Sequence, residues 1–440
     1  MIPMSDVQDL YKRRLTTPEL ALRDLPPRLS LLLGMFVAQP PALVQAFVDR
    51  VRAGKVEEAR VYYMHSTPAT EEVLIRRELM DAVKLYPFFL NPGERALVRE
   101  NPDRKMVFFV PNSFSDIPRI IRERPPFDVF LLQVAPMDRA GWFSFGASGA
   151  YSMAGVERAK QLIVEVNPNM PRSHGTGMVH VSQVAAIVEH ASALPLVAGK
   201  PPTDIDRQIA ARVLPMIQDG ACVQFGVGGV PNIVAAALTD RKDLGVHTEL
   251  LSDGVVSLIA CGAVTNRKKT TDPGKSIFNV AFGTAATYDM IDDNPSVECR
   301  MADYVNDPRI IGQNDNVVSV NAMIEVDLTG QVNADYLGDH QYGGAGGQLD
   351  FVKGASYSRG GLSFIVASST AAKGKVSRIV PRIQGPATDA RIDTQYIVTE
   401  HGMCNLRGLS SDERATALIG LADPAFRDEL TEAARKMHLI

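Results

Sequence analysis

The sequence predicts an α/β protein of two domains built on open, mainly parallel sheets, and three observations carry that reading. At 440 residues the chain is longer than one average domain. Short apolar runs alternate with helix-like segments along its whole length, the pattern of open α/β sheets. The stretch 191–204, ASALPLVAGKPPTD, gathers three prolines and a Gly-Lys between two such regions, as a linker does. The expected division is therefore an N-terminal domain at 1–190, a linker at 191–204 and a C-terminal domain at 205–440.

Taken in order, the first half reads as strands at 29–37, 60–64, 106–110, 129–134 and 162–166, with helices at 41–53, 70–79 and 115–123. Apolar residues then recur at helical spacing over 204–217. They lead into the strand-like Ala221, Cys222, Val223 and Phe225, a glycine turn, a helix at 232–238 and a second strand-like run that delivers Glu249. Further strands are expected at 317–324, 362–367, 376–380 and 395–399, and paired amphipathic helices at 413–440. No short-period repeat or low-complexity tract interrupts this order.

Composition excludes several functions. The apolar fraction is 45% and the charged fraction 22%, as in ordinary globular proteins with sizeable cores. A net charge of −4 argues against a general nucleic-acid or membrane-surface partner. The N-terminal MIPMSDVQDLYKRRLTTPEL lacks the apolar region of a signal peptide, and no apolar run approaches the roughly 20 residues that span a bilayer. Cys222, Cys261, Cys299 and Cys404 show no paired spacing, and Cys222 and Cys261 sit in apolar runs as reduced core thiols. A cytoplasmic location is expected. His247, His340 and His401 have no i,i+4 partner, so no metal site is expected.

The most informative stretch is QFGVGGVPNIVAAALTDRKDLGVHTE, ending at Glu249. Gly226, Val227, Gly228, Gly229 and Val230 form a turn that lets backbone N–H groups approach a negative oxygen. Gly226 and Gly228 match the first two glycines of a dinucleotide fingerprint, and Glu249 falls where a ribose-binding acid would. Pro231 replaces the third glycine, which counts against that reading. Glu249 precedes the turn-like Ser252, Asp253 and Gly254, so a capping role is the plain alternative to a chemical one.

A second glycine cluster, HQYGGAGGQLDF, places Gly343, Gly344, Gly346 and Gly347 just before Gln348, Asp350 and Phe351. Two glycine loops and one carboxylate can build an oxyanion hole, each loop offering one N–H. The basic run KGKVSRIVPR at 373–382 suits either a phosphate-bearing ligand or a solvated face. Glu325 and Asp327 share a strand face and are a fallback carboxylate pair.

Together, FVAQPPAL, FGVGGVPNIV, GVHTELLSDGVVSL, NAMIEVDLTGQV, GGAGGQLDF, SRIVP and YIVTEHGMCNL identify a resemblance along nearly the whole chain. The chain resembles the acetyl-CoA hydrolase/transferase family, within the class I CoA-transferases, and especially its 4-hydroxybutyrate branch. The resemblance implies two similar open α/β domains with the active site between them, and Glu249 as a nucleophile that becomes a glutamyl-CoA thioester. It implies that Gly226–Val230 binds CoA, with Val227 N–H as one oxyanion donor and the Gly343–Phe351 loop supplying the other from Gly347. Backbone at Met323 and Ile324 would line the CoA channel.

Two departures stand out. Relatives read STAKGGKIS where this chain reads STAAKGKVS, which moves the first lysine from 372 to Lys373, retained here as a candidate CoA contact. Met35 stands where 4-hydroxybutyrate enzymes carry histidine, so Met35 and Val37 are expected to line a pocket for a different acid. Itaconate, handled by transferases of the same branch, is a candidate beside 4-hydroxybutyrate. The expected activity is CoA transfer from acetyl-, butyryl- or succinyl-CoA to a small carboxylic acid, with no tightly bound cofactor and a homo-oligomeric (dimeric or tetrameric) assembly. Alternatives are an acyl-CoA hydrolase using the same glutamate, an NAD-dependent dehydrogenase and a non-catalytic acyl-CoA sensor.

Overall fold

The computed structural model describes residues 4–197, 199 and 201–440. The fold is mixed α/β with mainly parallel sheets, in two compact units. The first takes the chain up to Val197 together with Phe278–Tyr304. The second takes the following chain up to Ile277 together with Val305–Ile440. Residues 278–304, assigned from sequence to the C-terminal domain, thus belong with the first unit. Within 191–204, Ala198 and Lys200 lie outside the described residues, and the others carry no regular element before a helix begins at Asp204.

The first unit is built on six strands: β1 (Arg28–Leu33), β2 (Glu58–Tyr63), β3 (Val83–Pro87), β4 (Val129–Val134), β5 (Leu162–Val166) and β6 (Ala186–Glu189). They lie in the order β3-β2-β1-β4-β5-β6, and every neighbouring pair is parallel. The central strand β4, VFLLQV, is buried at all six positions, which is why it reads as a continuous apolar run rather than an alternating one. Helix α1 (Pro41–Arg52) starts with proline in its first turn and presses Leu43, Val44, Phe47, Val48 and Val51 into this core.

Two strand expectations change here. The run at 29–37 ends as a strand at Leu33, because Gly34 turns the chain and Phe36, at φ +47°, opens a 3₁₀ turn over Phe36–Ala38. The stretch 106–110 lies at the sheet edge beside β3, makes a single bridge, Leu85 to Val107, and does not form a strand.

In the second unit the strands that frame the site are β7 (Cys222–Phe225), β8 (Gly245–Leu251), β9 (Val317–Ala322), β10 (Leu362–Val366), β11 (Tyr396–Thr399) and β12 (Gly402–Asn405), beside several shorter ones. Their order is β12-β11-β10-β9-β7-β8, parallel except for the β11–β12 hairpin. Helix α2 (Asp204–Val213) is capped by Thr203 and Asp206, and helix α3 (Gly229–Ala236) follows the glycine turn. Helices α4 (Asp253–Ala260), α5 (Gln348–Tyr357), α6 (Ser411–Leu421) and α7 (Arg427–Lys436) complete the pattern. Cys222 is buried, as expected. Cys261, read as a core thiol, is exposed, because it caps the carboxyl end of α4 rather than continuing its apolar face.

The two units repeat one wiring. In each, the first strand pairs with the second on one side and with the strand of a later crossover on the other. The glycine after the first strand then donates its N–H across the gap: Gly34 to Leu131 O at 3.1 Å, and Gly226 to Val320 O at 2.9 Å. Counting from these registers, Met35 matches Val227. Leu31 pairs with Val61 and Val223 with Val246, so Met64 takes the position that Glu249 holds in the second unit. Ligands of open parallel sheets bind outside the carboxyl ends of the strands where the order reverses. In the second unit that place is the mouth between β7 and β9. No helix among the described residues is long and apolar enough to cross a membrane.

Candidate functional site

Strand β8 carries Glu249 near its carboxyl end. Its carboxylate is half-buried and held within the unit from two directions. Asn306 Nδ2 donates to Glu249 Oε2 at 2.6 Å. The Gly347 N–H donates to the same carboxylate. Burial pushes the Glu249 carboxyl up from its ordinary 4.5 to about 8, and the nearby charge of Asp350 adds to the rise, while the Asn306 and Gly347 donors pull it down. The group is thus poised near neutrality, unlike the exposed capping glutamate that the Ser252–Gly254 turn alone would suggest.

The second glycine loop ends where α5 begins, with Gly347 as its N-cap. Gly347 has φ −98°, which any residue adopts, so conformation does not require a glycine there. Contact does: a Cβ built on Gly347 would overlap Glu249 Oε2 and Asn306 Nδ2 and lie 3.0 Å from Glu249 Cδ. The fold thus brings the second glycine loop against Glu249, and that contact explains the residue type.

At the mouth between β7 and β9, the first glycine turn spans Gly226 to Val230. Gly228, at φ +148°, is the N-cap of α3 and uses a backbone conformation suited to glycine. The first N–H groups of α3 have no partner within the helix. Val227 is 73% exposed, unusual for a large apolar side chain beside a fully buried strand. Beneath the turn, Gln224 and Asn321 exchange two amide hydrogen bonds of 3.0 and 3.1 Å across β7 and β9. A Cβ on Gly226 would lie 2.5 Å from Asn321 Oδ1, so this amide pair fixes the turn from below.

Met323 and Ile324 follow directly on β9 at the same mouth. Their carbonyls accept from Arg378 Nη1 at 3.3 and 2.8 Å. The basic run at 373–382 therefore divides. Arg378 turns inward as a partly buried strut, whereas Lys373 is exposed at the tip of a hairpin between Thr370–Ala371 and Val376–Ser377, with φ +60°.

The fallback carboxylates do local work. Glu325 accepts from Asn333 Nδ2 at 2.9 Å, and Asp327 caps a turn through Thr329 and Gln331. His247, two residues before Glu249 on β8, is buried and donates to Val305 O at 2.9 Å. That bond ties β8 to the residue preceding Asn306. Met35 and Val37 are fully buried in the first unit, where Gln133 Nε2 donates to Val37 O at 2.6 Å. Phe36 between them packs on Phe282 at 4.3 Å between ring centroids.

Asn306 is the site residue that the sequence reading missed. It lies in YVNDPRI, where Asp307 and Pro308 announce only a turn and a short helix. Nothing local connects it to a glutamate 57 positions away.

Comparisons with known proteins find relatives along nearly the whole chain. The N-terminal and C-terminal domain models of the acetyl-CoA hydrolase/transferase family match residues 3–198 and 283–434. The succinyl-CoA:cyclohexane-1-carboxylate CoA transferase of Geobacter metallireducens is 46% identical over 344 residues, 78% of this chain and 79% of that protein. The 4-hydroxybutyrate coenzyme A transferase of Clostridium kluyveri is 38% identical over 435 residues, 98% of this chain and 99% of that protein. The crystal structure of RipA from Yersinia pestis matches at a TM-score of 0.96 and 48% identity, covering 99% of this chain and 100% of that one.

Proposed function

The chain belongs to the acetyl-CoA hydrolase/transferase family, and from that premise we propose that it is a CoA-transferase that moves CoA from an acyl-CoA to a carboxylic acid through Glu249. The observation that carries this reading is the Glu249 carboxylate itself: half-buried, raised to about 8, and gripped by Asn306 and the Gly347 N–H.

In the proposed reaction a Glu249 oxygen attacks the thioester carbonyl, and the C–S bond breaks to leave a mixed anhydride and CoA thiolate. The thiolate then attacks Cδ of Glu249, releasing the donor acid as its carboxylate and leaving a glutamyl-CoA thioester. An acceptor carboxylate reverses both steps, so Glu249 returns as a free carboxylate and CoA leaves on the new acid. A carboxylate suits this exchange because its thioester keeps the free energy of the incoming one, which a serine ester would lose. Val227 N–H and Gly347 N–H are assigned the two oxyanions, and each such donor is worth about 100–1,000-fold. Gly226, Gly228, Gly229, Val230, Met323, Ile324 and Gly343 are assigned to CoA, at or near the two glycine loops. Lys373 is a peripheral contact at most, given its exposed hairpin position.

The donor is proposed to be a short acyl-CoA such as acetyl-, butyryl- or succinyl-CoA. The acceptor is proposed to be a small carboxylic acid such as itaconate or 4-hydroxybutyrate. Initial rates with acetyl-CoA, varied against each acid, test this reading. Parallel double-reciprocal lines and turnover that requires the acid are expected. CoA release at the same rate without any acid would assign the chain as a hydrolase instead.

A pH dependence follows from the raised carboxyl. Since the nucleophile is the ionised form, the rate is expected to rise about tenfold per unit below pH 8 and level off above it. Asn306→Ala removes a donor that favours ionisation, so the ascending limb should move to higher pH. The variant should recover part of its loss, on the order of 10- to 100-fold at pH 7, in alkaline buffer. A limb that stays in place would show that Asn306 does not govern Glu249.

A further inference from the structure

The second glycine loop is clamped at both ends by buried aspartates that the proposed chemistry does not use. At its start, Tyr342 N and Gly343 N donate to Asp335 O at 2.9 and 3.0 Å, and Gln341 Nε2 donates to Asp335 Oδ2 at 2.9 Å. At its end, Gln348, the residue after Gly347, donates from Nε2 to Asp389 Oδ2 at 2.6 Å. The two anchors lie on separate segments that pair with each other through an antiparallel bridge between Val332 and Asp389. Thr388 Oγ1 donates to Asp335 Oδ1 at 2.6 Å, and the Asp389 backbone exchanges hydrogen bonds of 3.0 and 3.1 Å with Val332.

Asp389 is completely buried, and its Oδ1 is buried without a partner. Burial pushes its carboxyl up to about 7, with the charges of Asp393 and Asp335 adding to the rise and Gln348 opposing it. A carboxyl kept at that cost for packing alone would be better replaced by an apolar residue of its size. What it holds is the side chain next to the backbone amide that meets Glu249. On the other side Gly347 sits close against the carboxylate, where a Cβ would overlap Glu249 Oε2 and Asn306 Nδ2.

We propose that Asp389, acting through Gln348, is a positioning residue that sets the Gly347 N–H against the Glu249 carboxylate. The inference rests on the reading of Glu249 as the nucleophile. Displacing a reacting group by about 1 Å costs on the order of 100-fold, so loss of the anchor should appear in kcat.

The test compares Asp389→Leu, which fills the space without an acceptor, with Asp389→Asn, which keeps an acceptor oxygen for Gln348. In Asp389→Leu, kcat is expected to fall roughly 10- to 100-fold, with KM for acyl-CoA and for acid within about threefold of the original. Asp389→Asn should stay within about threefold in kcat. Gln348→Met removes the donor from the other side and should reproduce the kcat loss; it is the deciding variant if Asp389→Leu does not fold. Unchanged kcat in Gln348→Met and in folded Asp389→Leu, or an equal loss in Asp389→Asn, overturns the proposal. Failure of the underlying reading looks different: the unaltered protein would then form no covalent CoA adduct at Glu249, whatever the state of Asp389.

Discussion

Replacing Glu249 by alanine is expected to lower the transfer rate by about 10⁴-fold or more while acyl-CoA still binds. The loss is large because no second group can substitute: the reaction passes through a bond to this carboxylate, and the neighbouring Asp350 is itself buried. Steady-state transfer with acetyl-CoA, together with calorimetric binding of CoA, separates loss of chemistry from loss of binding. The amide variant Glu249→Gln should be as inactive but more stable. The raised carboxyl means that the folded state holds a proton which the unfolded chain gives up near its ordinary 4.5. Stability from this group is therefore complete below that value and is lost as pH rises towards 8. Glutamine avoids the loss, and a gain of roughly 0.5–2 kcal/mol at pH 8 is expected in denaturant titration. Retained activity in Glu249→Ala would contradict the assignment.

The second large effect is expected at Gly347. Alanine there keeps a permitted backbone, since φ is −98°, but sets a methyl group onto Glu249 Oε2 and Asn306 Nδ2. Either the loop withdraws and the N–H is lost to the carboxylate, or the carboxylate turns away from its attack position. Transfer should fall about 100–1,000-fold, and overpacking should cost roughly 1–3 kcal/mol of stability. Gly346 is the control. A Cβ there would lie 3.9 Å from Glu249 Oε1, an ordinary contact, but φ is +56°. Gly346→Ala should therefore lose roughly 1–2 kcal/mol through backbone strain while keeping most of its kcat. Equal kcat losses in the two variants would show that the loop responds to strain rather than to crowding at the carboxylate.

The sheets were legible because their strands are short apolar runs bounded by turns. Val129–Val134 and Leu162–Val166 match the reading residue for residue. The edge run at 106–110 was not, because apolar composition alone cannot say whether a neighbouring strand will accept a full ladder. The glycine loops were legible as loops. Their composition also says that a backbone comes close to something, and for Gly347 that something is Glu249. What sequence could not give was the partner brought by the fold. Asn306 reaches Glu249 only after the chain has left the second unit at Phe278 and returned at Val305. The same detour moved residues 278–304 out of the expected C-terminal domain. Arg378 shows a further limit: its charge reads like that of Lys373 in KGKVSRIVPR, yet one is a partly buried strut to two carbonyls and the other sits on an exposed hairpin.

Direct capture of the covalent intermediate tests the central claim. The protein is incubated with acetyl-CoA without an acceptor acid, reduced with borohydride, digested and analysed by mass spectrometry. A glutamyl thioester at Glu249 should be reduced to the corresponding alcohol, seen on the peptide that carries GVHTELLSDG, and should disappear when acceptor acid is added before the borohydride. An unmodified Glu249 under conditions in which CoA transfer proceeds at full rate would contradict the covalent role assigned to it.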